Sequence, residues 1–439
     1  MSSLPPVKIG LLGLGTVGGG TITVLQRNAD VISRRAGRRI EVVAASARDI
    51  RKQRPFDLST IELFDDPFDV VRHPNVDVVV ELIGGTEPAT ELVVAALECG
   101  KHVVTANKAL IALHGNEIFE VAQRSNTIVG FEAAVAGAIP VIKATREGLA
   151  GNRVDWLAGI INGTCNYMLS AMSDDGREFD DVLAEAQKLG YAEADPSFDI
   201  DGIDAAHKLT ILAAIAFGIP LQFERVYIEG IRHVARADVE YAKRLGYRIK
   251  HLGFARQGER GIELRVHPTL LPSRQILANV NGVMNAVMIN ADAAGPTLYY
   301  GAGAGAEATA SAVVADLVDV VRTLTADPEN RVPHLAFRPD ALVELPVVEM
   351  ADVETAYYLR FSVLDQPGVL ADVTRILGNR GISIEAILQQ EPDDGEATVP
   401  VIILTHRVLE RAMEVAIKEI EALPQIPEEV VRMRMEQLV

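Results

Sequence analysis

Cysteine is scarce in this sequence of 439 residues, with only Cys99 and Cys165, so a disulfide scaffold is not expected and a reducing compartment is favoured. Lys and Arg number 42 against 60 Asp and Glu, a net charge of −18 that predicts no surface for nucleic-acid phosphates. No apolar run approaches the roughly 18 residues of a membrane span, and the first residues lack the charged segment of a signal peptide. We therefore expect a cytoplasmic protein that binds neither nucleic acid nor membrane.

Apolar runs alternate with helical patterns in the first part of the chain. The runs that predict buried strands are Val7–Leu12, Ile40–Ala45, Val76–Ile83 and His102–Thr105. Because alternating strands and helices form a parallel sheet, residues 1–134 are predicted to be one doubly wound domain, which the glycine motif described below marks as a Rossmann-like dinucleotide-binding domain. A helical pattern within about 306–330 is predicted to complete it.

The remaining residues are predicted to form two further domains. Residues 135–305 mix helices and strands, an α+β pattern that we assign to substrate binding and dimerisation. Residues 331–354 contain three prolines and few helical signals, which indicates a linker. Residues 355–435 have the pattern βαββαβ, which predicts a ferredoxin-like domain.

A glycine-rich motif, Gly13-Leu14-Gly15-Thr16-Val17-Gly18, follows the first predicted strand and opens a helix. The first glycine permits a tight turn, the second lets a pyrophosphate approach the backbone, and the third allows the helix to pack closely on the strand. The helix N-terminus supplies free N–H groups for phosphate. We predict that Gly13, Gly15, Thr16, Val17 and Gly18 bind a dinucleotide; the alternative is a glycine turn without a ligand.

The end of the second strand bears on the choice of cofactor. An acidic residue there would bind the ribose 2′-hydroxyl of NAD, whereas an arginine suits the 2′-phosphate of NADP. No acid stands at the strand end, and Arg48 follows it. The sequence therefore favours NADP(H), with NAD(H) as the second choice, unless Arg48 is only a solvated surface charge.

An acidic loop leads into an apolar helix, predicted over Ile203–Phe217, that carries one lysine. Asp204 and Lys208 lie four residues apart on one face of it, and the acids of the loop are Glu193, Asp195, Asp199 and Asp201. A lysine in so apolar a helix is costly unless it is paired. It could exchange a proton with an alcohol or aldehyde oxygen, and the acids would suit a substrate ammonium group. The alternative is a structural ion pair at an exposed edge.

A second lysine stands in the segment Thr105-Ala106-Asn107-Lys108, at the end of a predicted parallel strand. Ligands bind at that edge of such sheets, so Thr105, Asn107 and Lys108 are predicted to face the cofactor. The alternative for Lys108 is a surface lysine at a helix start. His207 and Cys165 are predicted to be packed core residues.

These motifs together resemble the homoserine dehydrogenase family, in its monofunctional form, over nearly the whole chain. The most specific segment begins Gly190-Tyr-Ala-Glu-Ala-Asp-Pro and continues through Lys208, and a second one is Asn162-Gly-Thr-Cys-Asn-Tyr167. The resemblance implies NAD(P)-dependent interconversion of L-aspartate 4-semialdehyde and L-homoserine. That reaction belongs to threonine, methionine and isoleucine biosynthesis.

The resemblance also implies roles for individual residues. Lys208 would be the proton donor, Lys108 would line the site, and Glu193 and Asp204 would bind the amino-acid end of the substrate. Further substrate contacts are predicted at Gly163, Thr164, Tyr167 and Asp199. Further cofactor contacts are predicted at Gly190, Gly303 and Gly305.

A sodium ion and a regulatory domain are implied in the same way. Backbone carbonyls and a glutamate suit a hard cation, and the matching residues are Glu132, Val135, Gly137 and Ile139. The C-terminal segment resembles an ACT domain, whose effector by resemblance is threonine. Its predicted contacts are Asp365, Gly368, Val369 and Leu370, where a helix N-terminus could hold a carboxylate. The alternative is a domain that only dimerises.

Other functions stay open at this point. The chain could reduce a different amino-acid aldehyde, or it could be a non-catalytic sensor of a dinucleotide and an amino acid. A sensor needs no proton donor, so the Lys208 region favours an enzyme. A homodimer or homotetramer is expected.

Overall fold

The computed structural model of this protein describes residues 4–389 and 398–438. Residues 1–3 of the predicted first domain and residues 390–397 of the predicted ACT domain lie outside the described residues. Over the described ranges, no helix combines the length and the hydropathy that crossing a bilayer would require.

The strands of the described residues are numbered in chain order. They are β1 (Val7–Leu12), β2 (Ile40–Ser46), β3 (Glu62–Phe64), β4 (Val78–Glu81), β5 (His102–Thr105), β6 (Val129–Gly130), β7 (Val154–Ile160), β8 (Tyr227–Ile228), β9 (Tyr247–Gly258), β10 (Gly261–Pro272), β11 (Met284–Ala291), β12 (Gly295–Ala302), β13 (Glu354–Leu364), β14 (Ile384–Gln389), β15 (Thr398–Thr405), β16 (Val408–Leu409) and β17 (Val431–Met435).

The helices are numbered in the same way. They are α1 (Thr16–Arg27), α2 (Ala29–Ala36), α3 (Pro67–Arg72), α4 (Ala89–Glu98), α5 (Lys108–Arg124), α6 (Val141–Lys143), α7 (Gly163–Asp175), α8 (Phe179–Lys188), α9 (Ser197–Ile200), α10 (Ile203–Phe217), α11 (Arg236–Arg244), α12 (Ala306–Thr323), α13 (Val369–Asn379) and α14 (Glu410–Glu421).

The chain divides into two compact units. The first contains the described residues of Met1–Gly163, Asp204–Val226 and Met284–Leu345. The second contains those of Thr164–Ile203, Tyr227–Val283 and Pro346–Val439. The acidic loop and nearly all of the helix that follows it therefore belong to different units.

A six-stranded parallel sheet with the order β3-β2-β1-β4-β5-β6 organises the first unit. Its central strands β1 and β4 are mostly apolar, because they are buried on both faces. The strand order reverses between β1 and β4, where the carboxyl ends of such strands form a ligand crevice. Helix α12 packs on α1, and a Cβ at Gly20 would lie only 2.5 Å from the carbonyl oxygen of Ala306. The predicted Rossmann-like fold is confirmed.

The first unit also contains an antiparallel sheet of order β12-β11-β7 and the helix α10. Every residue of α10 from Asp204 to Phe217 is buried. The charged groups on this helix must therefore find their partners inside the protein.

The second unit contains the predicted βαββαβ domain, formed by β13, α13, β14, β15, α14 and β17. Its strands lie in the order β17-β13-β15-β14, which is the ferredoxin-like arrangement. Tyr357, Phe361, Val373 and Ile420 belong to its core. The sheet continues beyond the domain, because β17 pairs in parallel with β10 of the β9–β10 hairpin.

Arg434, on β17, is a buried cation at this continuation of the sheet. Its guanidinium donates to Glu410 Oε2 at 2.9 Å, to Glu229 Oε2 at 2.7 Å and to the phenolic oxygen of Tyr227 at 3.0 Å. A fully buried charge is tolerated only when it is paired and hydrogen-bonded. The network therefore stabilises the contact between the ACT sheet and the hairpin.

Candidate functional site

The glycine turn after β1 has the geometry that a dinucleotide requires. Gly13 has a φ of +102°, and a Cβ at Gly18 would lie 2.1 Å from the Gly13 carbonyl oxygen. A Cβ at Gly15 would meet no atom within 4 Å, which leaves open space beside the N-terminus of α1. Thr16 and Val17 form the first turn of that helix. These features fit a pyrophosphate held by backbone N–H groups.

The loop after β2 is basic and contacts the glycine turn. Arg48 is exposed there, and the carboxylate of Asp49 accepts the N–H of Arg51 at 2.9 Å. Sequence reasoning missed Arg54, whose guanidinium donates to the carbonyl oxygen of Asp49 at 2.9 Å and lies 3.5 Å from that of Leu14. An arginine in a polar loop carries no pattern that would have identified it.

Two lysines converge on one aspartate at the start of α10. Asp204 Oδ2 lies 2.7 Å from Lys208 Nζ, and Asp204 Oδ1 lies 3.2 Å from Lys108 Nζ. Lys208 Nζ also donates to the carbonyl oxygen of Ile161 at 2.7 Å, and Asn162 Nδ2 donates to Asp204 Oδ2 at 2.8 Å. The two predicted catalytic lysines thus share one carboxylate. Sequence reasoning had not singled out Ile161 or the amide of Asn162 as its neighbours.

The electrostatics of this group depend on Asp204. Burial by itself would raise the pKa of its carboxyl, but the charges of Lys208 and Lys108 outweigh burial and lower that pKa to about 2. Asp204 is therefore ionised at neutral pH. Lys208 is only 9% exposed, so the alternative of an ion pair at an exposed edge is wrong.

His207 and Cys165 are core residues, as predicted. The His207 ring lies 4.5 Å from the ring of Phe223, and burial together with the charge of Lys108 lowers its pKa to about 4. The Cys165 thiol is fully buried and lies 3.2 Å from the carbonyl oxygen of Asp199.

A polar network lies where β4 and β5 end. The Thr105 hydroxyl donates to Glu81 Oε2 at 2.6 Å and accepts the N–H of Asn107 at 3.0 Å. The side-chain oxygen of Asn107 caps α5 by accepting the N–H of Leu110 at 3.1 Å. Sequence reasoning had missed Glu81. The one available signal was an acid at the end of an otherwise apolar strand.

Several of the predicted substrate residues lie in the second unit. The Thr164 hydroxyl lies 2.6 Å from the Tyr191 carbonyl oxygen and 3.1 Å from Asp199 Oδ2. The ring of Tyr167 contacts that of Tyr191 edge-on at 5.0 Å. Glu193 is exposed. The structure therefore brings Thr164, Tyr167 and Asp199 into one group within this unit.

The other acids of the loop have local structural contacts. Asp195 Oδ1 accepts the N–H of Ser197 at 3.1 Å, and Asp201 forms an ion pair with Arg232. Gly190 follows α8 with a φ of +76°. Gly163 is the last residue of the first segment of the first unit.

The predicted sodium stretch is a buried turn before α6. The Glu132 carboxylate accepts two backbone N–H groups of α6, at 2.9 and 2.8 Å. The carbonyl oxygen of Ile139 accepts a backbone N–H, whereas those of Val135 and Gly137 accept none from the described residues. Two carbonyl oxygens are thus available for a hard cation, while the glutamate side chain already binds backbone.

The other predicted cofactor glycines lie between β12 and α12. Gly305 is the N-cap of α12 with a φ of +128°. A Cβ at Gly303 would lie 2.2 Å from the amide of Asn285. That amide is buried, and both its nitrogen and its oxygen lack a hydrogen-bond partner among the described residues. An unsatisfied buried amide beside this loop fits a site that a polar ligand completes.

The predicted effector residues lie where α13 begins. Asp365 is exposed, and Gly368 is the N-cap of α13 with a φ of +97°. Val369 is buried and Leu370 is half-buried, so these two side chains pack against the domain. Asp365 and the backbone of the first turn are the parts that a ligand can reach.

A cavity of about 1190 Å³ lies elsewhere in the first unit, lined by residues of α5, α12 and the segment 328–344. None of the predicted site residues lines it. It carries acidic and basic side chains in similar number, so its charge indicates no class of ligand.

Comparison with known proteins identifies the family. The sequence-family model described as homoserine dehydrogenase matches residues 140–318. The family model of the homoserine dehydrogenase NAD-binding domain matches residues 13–132, and that of the ACT domain matches residues 357–425. The homoserine dehydrogenase of Pseudomonas aeruginosa is 63% identical over 435 residues, which cover 99% of this chain and 100% of the relative. The chain belongs to the homoserine dehydrogenase family.

Solved structures of the family agree. A homoserine dehydrogenase from Thiobacillus denitrificans is 62% identical, with a TM-score of 0.95 and coverage of 100% of both chains. A hyperthermophilic archaeal homoserine dehydrogenase in complex with NADPH is 27% identical, with a TM-score of 0.62 over 74% of this chain and 99% of that one. The predicted fold class, the ACT domain, the oxidoreductase class and a nicotinamide dinucleotide cofactor are confirmed.

Proposed function

We propose that this chain interconverts L-aspartate 4-semialdehyde and L-homoserine, with NADP(H) as the preferred dinucleotide. The observation that carries the proposal is the buried Lys208 ammonium, 2.7 Å from Asp204 Oδ2, with the Lys108 ammonium on the other oxygen of the same carboxylate. A fixed proton donor in a desolvated place is what reduction of an aldehyde needs besides a hydride.

When bound, the dinucleotide supplies the hydride that the aldehyde carbon receives. Lys208 donates a proton to the aldehyde oxygen as charge develops there, and takes it back in the reverse direction. Asp204 and the Ile161 carbonyl hold Lys208 Nζ from two directions, which limits its freedom before the reaction. The charge of Lys108 further stabilises the developing oxyanion.

The amino-acid end of the substrate carries an ammonium group, and carboxylates bind such a group. Both oxygens of Asp204 already face lysines, so we assign the ammonium chiefly to Glu193, with Asp204 contributing its charge. Gly163, Thr164, Tyr167 and Asp199 are the further substrate contacts that we propose. Glu193→Gln is expected to raise KM for homoserine more than it lowers kcat, because it weakens ground-state and transition-state binding alike.

The proposal is tested by following NADPH at 340 nm with homoserine and NADP⁺. Lys208→Ala and Lys208→Arg should each lower kcat by about 10²–10⁴-fold, with dinucleotide binding nearly unchanged. The matched control is Lys188→Ala, which removes an exposed lysine from the last turn of α8. A Lys208→Ala enzyme with wild-type turnover would refute the mechanism. If the enzyme turns over other amino-acid aldehydes but not L-aspartate 4-semialdehyde, the substrate must be reassigned. Binding of the dinucleotide and the amino acid without turnover would indicate a sensor.

The preference for NADP(H) rests on the exposed Arg48 and the absence of an acid at the end of β2. The glycine contacts at Gly13, Gly15 and Gly18, the segment Thr105–Lys108, Gly190, Gly303 and Gly305 are proposed to serve either dinucleotide. Arg48→Glu should raise KM for NADPH at least about tenfold and leave KM for NADH almost unchanged, because one charge-assisted contact is replaced by repulsion. Equal effects on both cofactors would reject this assignment.

A sodium ion is proposed at Glu132, Val135, Gly137 and Ile139. The two carbonyl oxygens without N–H partners support it, and the engagement of Glu132 by α6 limits the contribution of that side chain. Bound sodium should raise the thermal midpoint in NaCl relative to choline chloride at equal ionic strength. Equal midpoints would argue that no sodium binds there.

The ACT domain is proposed to bind threonine at Asp365 and the first turn of α13, and so to inhibit the enzyme. Calorimetric titration with threonine, repeated with Asp365→Ala, tests this, and a domain that only dimerises would release no heat. We also propose a homodimer or homotetramer in the cytoplasm. Sedimentation velocity would measure its mass.

A further inference from the structure

Glu81 is a buried carboxylate that the proposed reaction does not use. Its side chain is 0% exposed at the carboxyl end of β4. It pairs with Leu12 of β1 on one side and with Thr105 of β5 on the other. It thus lies beside the reversal of strand order, where such sheets bind ligands. Burying a carboxylate this deeply is costly unless both of its oxygens accept hydrogen bonds.

The carboxylate of Glu81 holds the loop that follows its own strand. Its Oε1 accepts the N–H of Ile83 at 2.8 Å and that of Gly84 at 3.1 Å. Gly84 and Gly85 have φ angles of +81° and +73°, and a Cβ on either would meet no atom within 4 Å. The loop therefore faces open space. At its start, the carbonyl oxygen of Leu82 lies 2.9 Å from the position of a Cβ on Gly13, so the loop abuts the glycine turn.

The other carboxylate oxygen connects to the predicted catalytic lysine. Glu81 Oε2 accepts the hydroxyl proton of Thr105 at 2.6 Å, which orients that hydroxyl to accept the N–H of Asn107 at 3.0 Å. Asn107 donates to the Gly85 carbonyl oxygen at 2.6 Å and caps α5. Lys108 is the first residue of α5, and its Nζ reaches Asp204 at 3.2 Å.

We propose that Glu81 is a positioning residue that sets the 82–85 loop and, through Thr105 and Asn107, the place of Lys108 against Asp204. The proposal rests on the proposed function, because it gives Lys108 a role in the reaction. The negative acceptor is essential to it. A glutamine has the same shape but only one acceptor oxygen, so it cannot accept both from the N–H groups of the loop and from the Thr105 hydroxyl.

The test compares Glu81→Gln, Thr105→Val and the double variant. Each single change should lower kcat about 10- to 100-fold, a larger factor than any rise in the dissociation constant of NADPH, because the glycine turn keeps its own backbone contacts with the dinucleotide. The double variant should lose little more than the worse single variant, since both changes break the same connection. Glu307→Gln is the control; it removes an exposed partner of Arg27 in the same unit, and kcat should not change.

Two results would overturn the proposal. One is a kcat of Glu81→Gln within twofold of wild type, whatever its thermal midpoint, because a purely structural residue changes stability alone. The other is a double variant whose loss equals the product of the single losses, because independent residues multiply. If Glu81→Gln does not fold, the kcat of Thr105→Val decides alone, and a value within twofold of wild type rejects the connection. Lys208→Ala is measured alongside: its turnover tests the proposed function separately from this network.

Discussion

Replacing Asp204 by asparagine should destabilise the first unit by about 3–5 kcal/mol at neutral pH, the usual cost of removing one partner of a buried ion pair. Asparagine keeps the shape but leaves the ammonium groups of Lys208 and Lys108 facing each other across a neutral amide. The lowering of the Asp204 pKa from 3.8 to about 2 corresponds by itself to roughly 2 kcal/mol. The remainder comes from Lys208, which is 9% exposed and keeps the neutral Ile161 carbonyl oxygen as an acceptor but loses its carboxylate partner.

The pH dependence of this difference has a definite sign. Because the pKa of Asp204 is lower in the folded chain than in the unfolded one, its stabilisation is complete above about pH 5 and is lost as the pH falls toward 2. The advantage of wild type over Asp204→Asn should therefore be about 1 kcal/mol smaller at pH 3 than at pH 7. A protonated Asp204 resembles the asparagine that replaces it.

Urea unfolding followed by tryptophan fluorescence reports on the first unit of the chain, which contains Asp204. Trp156 is the single tryptophan of the chain, and it lies on β7 of the first unit. The control is Glu307→Gln, which removes an exposed partner of Arg27 in the same unit and should leave the urea midpoint almost unchanged. Equal stability of wild type and Asp204→Asn at pH 7, or a difference that grows as the pH falls, would refute the reasoning.

Three further substitutions extend these tests: two separate packing from binding at the glycine turn, and the third tests the buried charge of the second unit. Gly18→Ala should destabilise the first unit by more than about 2 kcal/mol in the fluorescence assay, because its Cβ would lie 2.1 Å from the Gly13 carbonyl oxygen. Gly15→Ala, whose Cβ meets nothing within 4 Å, should keep its stability but weaken NADPH binding at least about tenfold; unchanged binding would contradict the proposed pyrophosphate position. Arg434→Met should lower the free energy of unfolding, measured by urea titration with circular dichroism, by about 3–5 kcal/mol. Arg375→Met, which breaks an exposed pair with Asp372, should cost less than about 1 kcal/mol, and similar losses for the two would contradict the role of the buried network.

Much of the fold could be predicted from local pattern. The limits of β1 and β5 match the predicted runs, because strands buried on both faces consist mostly of apolar residues. The short strands β3 and β6 were not predicted, since two or three residues show no periodicity and are defined by the neighbour they pair with. The continuation of the ACT sheet through β17 and β10 was also not predictable, because nothing local specifies pairing between distant strands.

The candidate site divides in the same way. The glycine turn and the spacing of Asp204 and Lys208 on one helical face are local features, and sequence reasoning found both. It did not find that Lys108 shares the carboxylate of Asp204, or that Glu81 accepts from Thr105. Those contacts join residues on different elements, and neither partner carries a pattern that names the other.

By itself, the sequence determined where the longer strands and helices form and which turn can approach a phosphate, because glycine conformation and apolar periodicity act within a few residues. Tertiary structure decided which charges from different elements meet. Burial of α10 deprives Lys208 and Asp204 of water, and the packing of α5 beside them adds the Lys108 ammonium, which together with Lys208 lowers the pKa of Asp204. The ionisation of such a group depends on all charges and on the solvent around it, and those are properties of the folded chain.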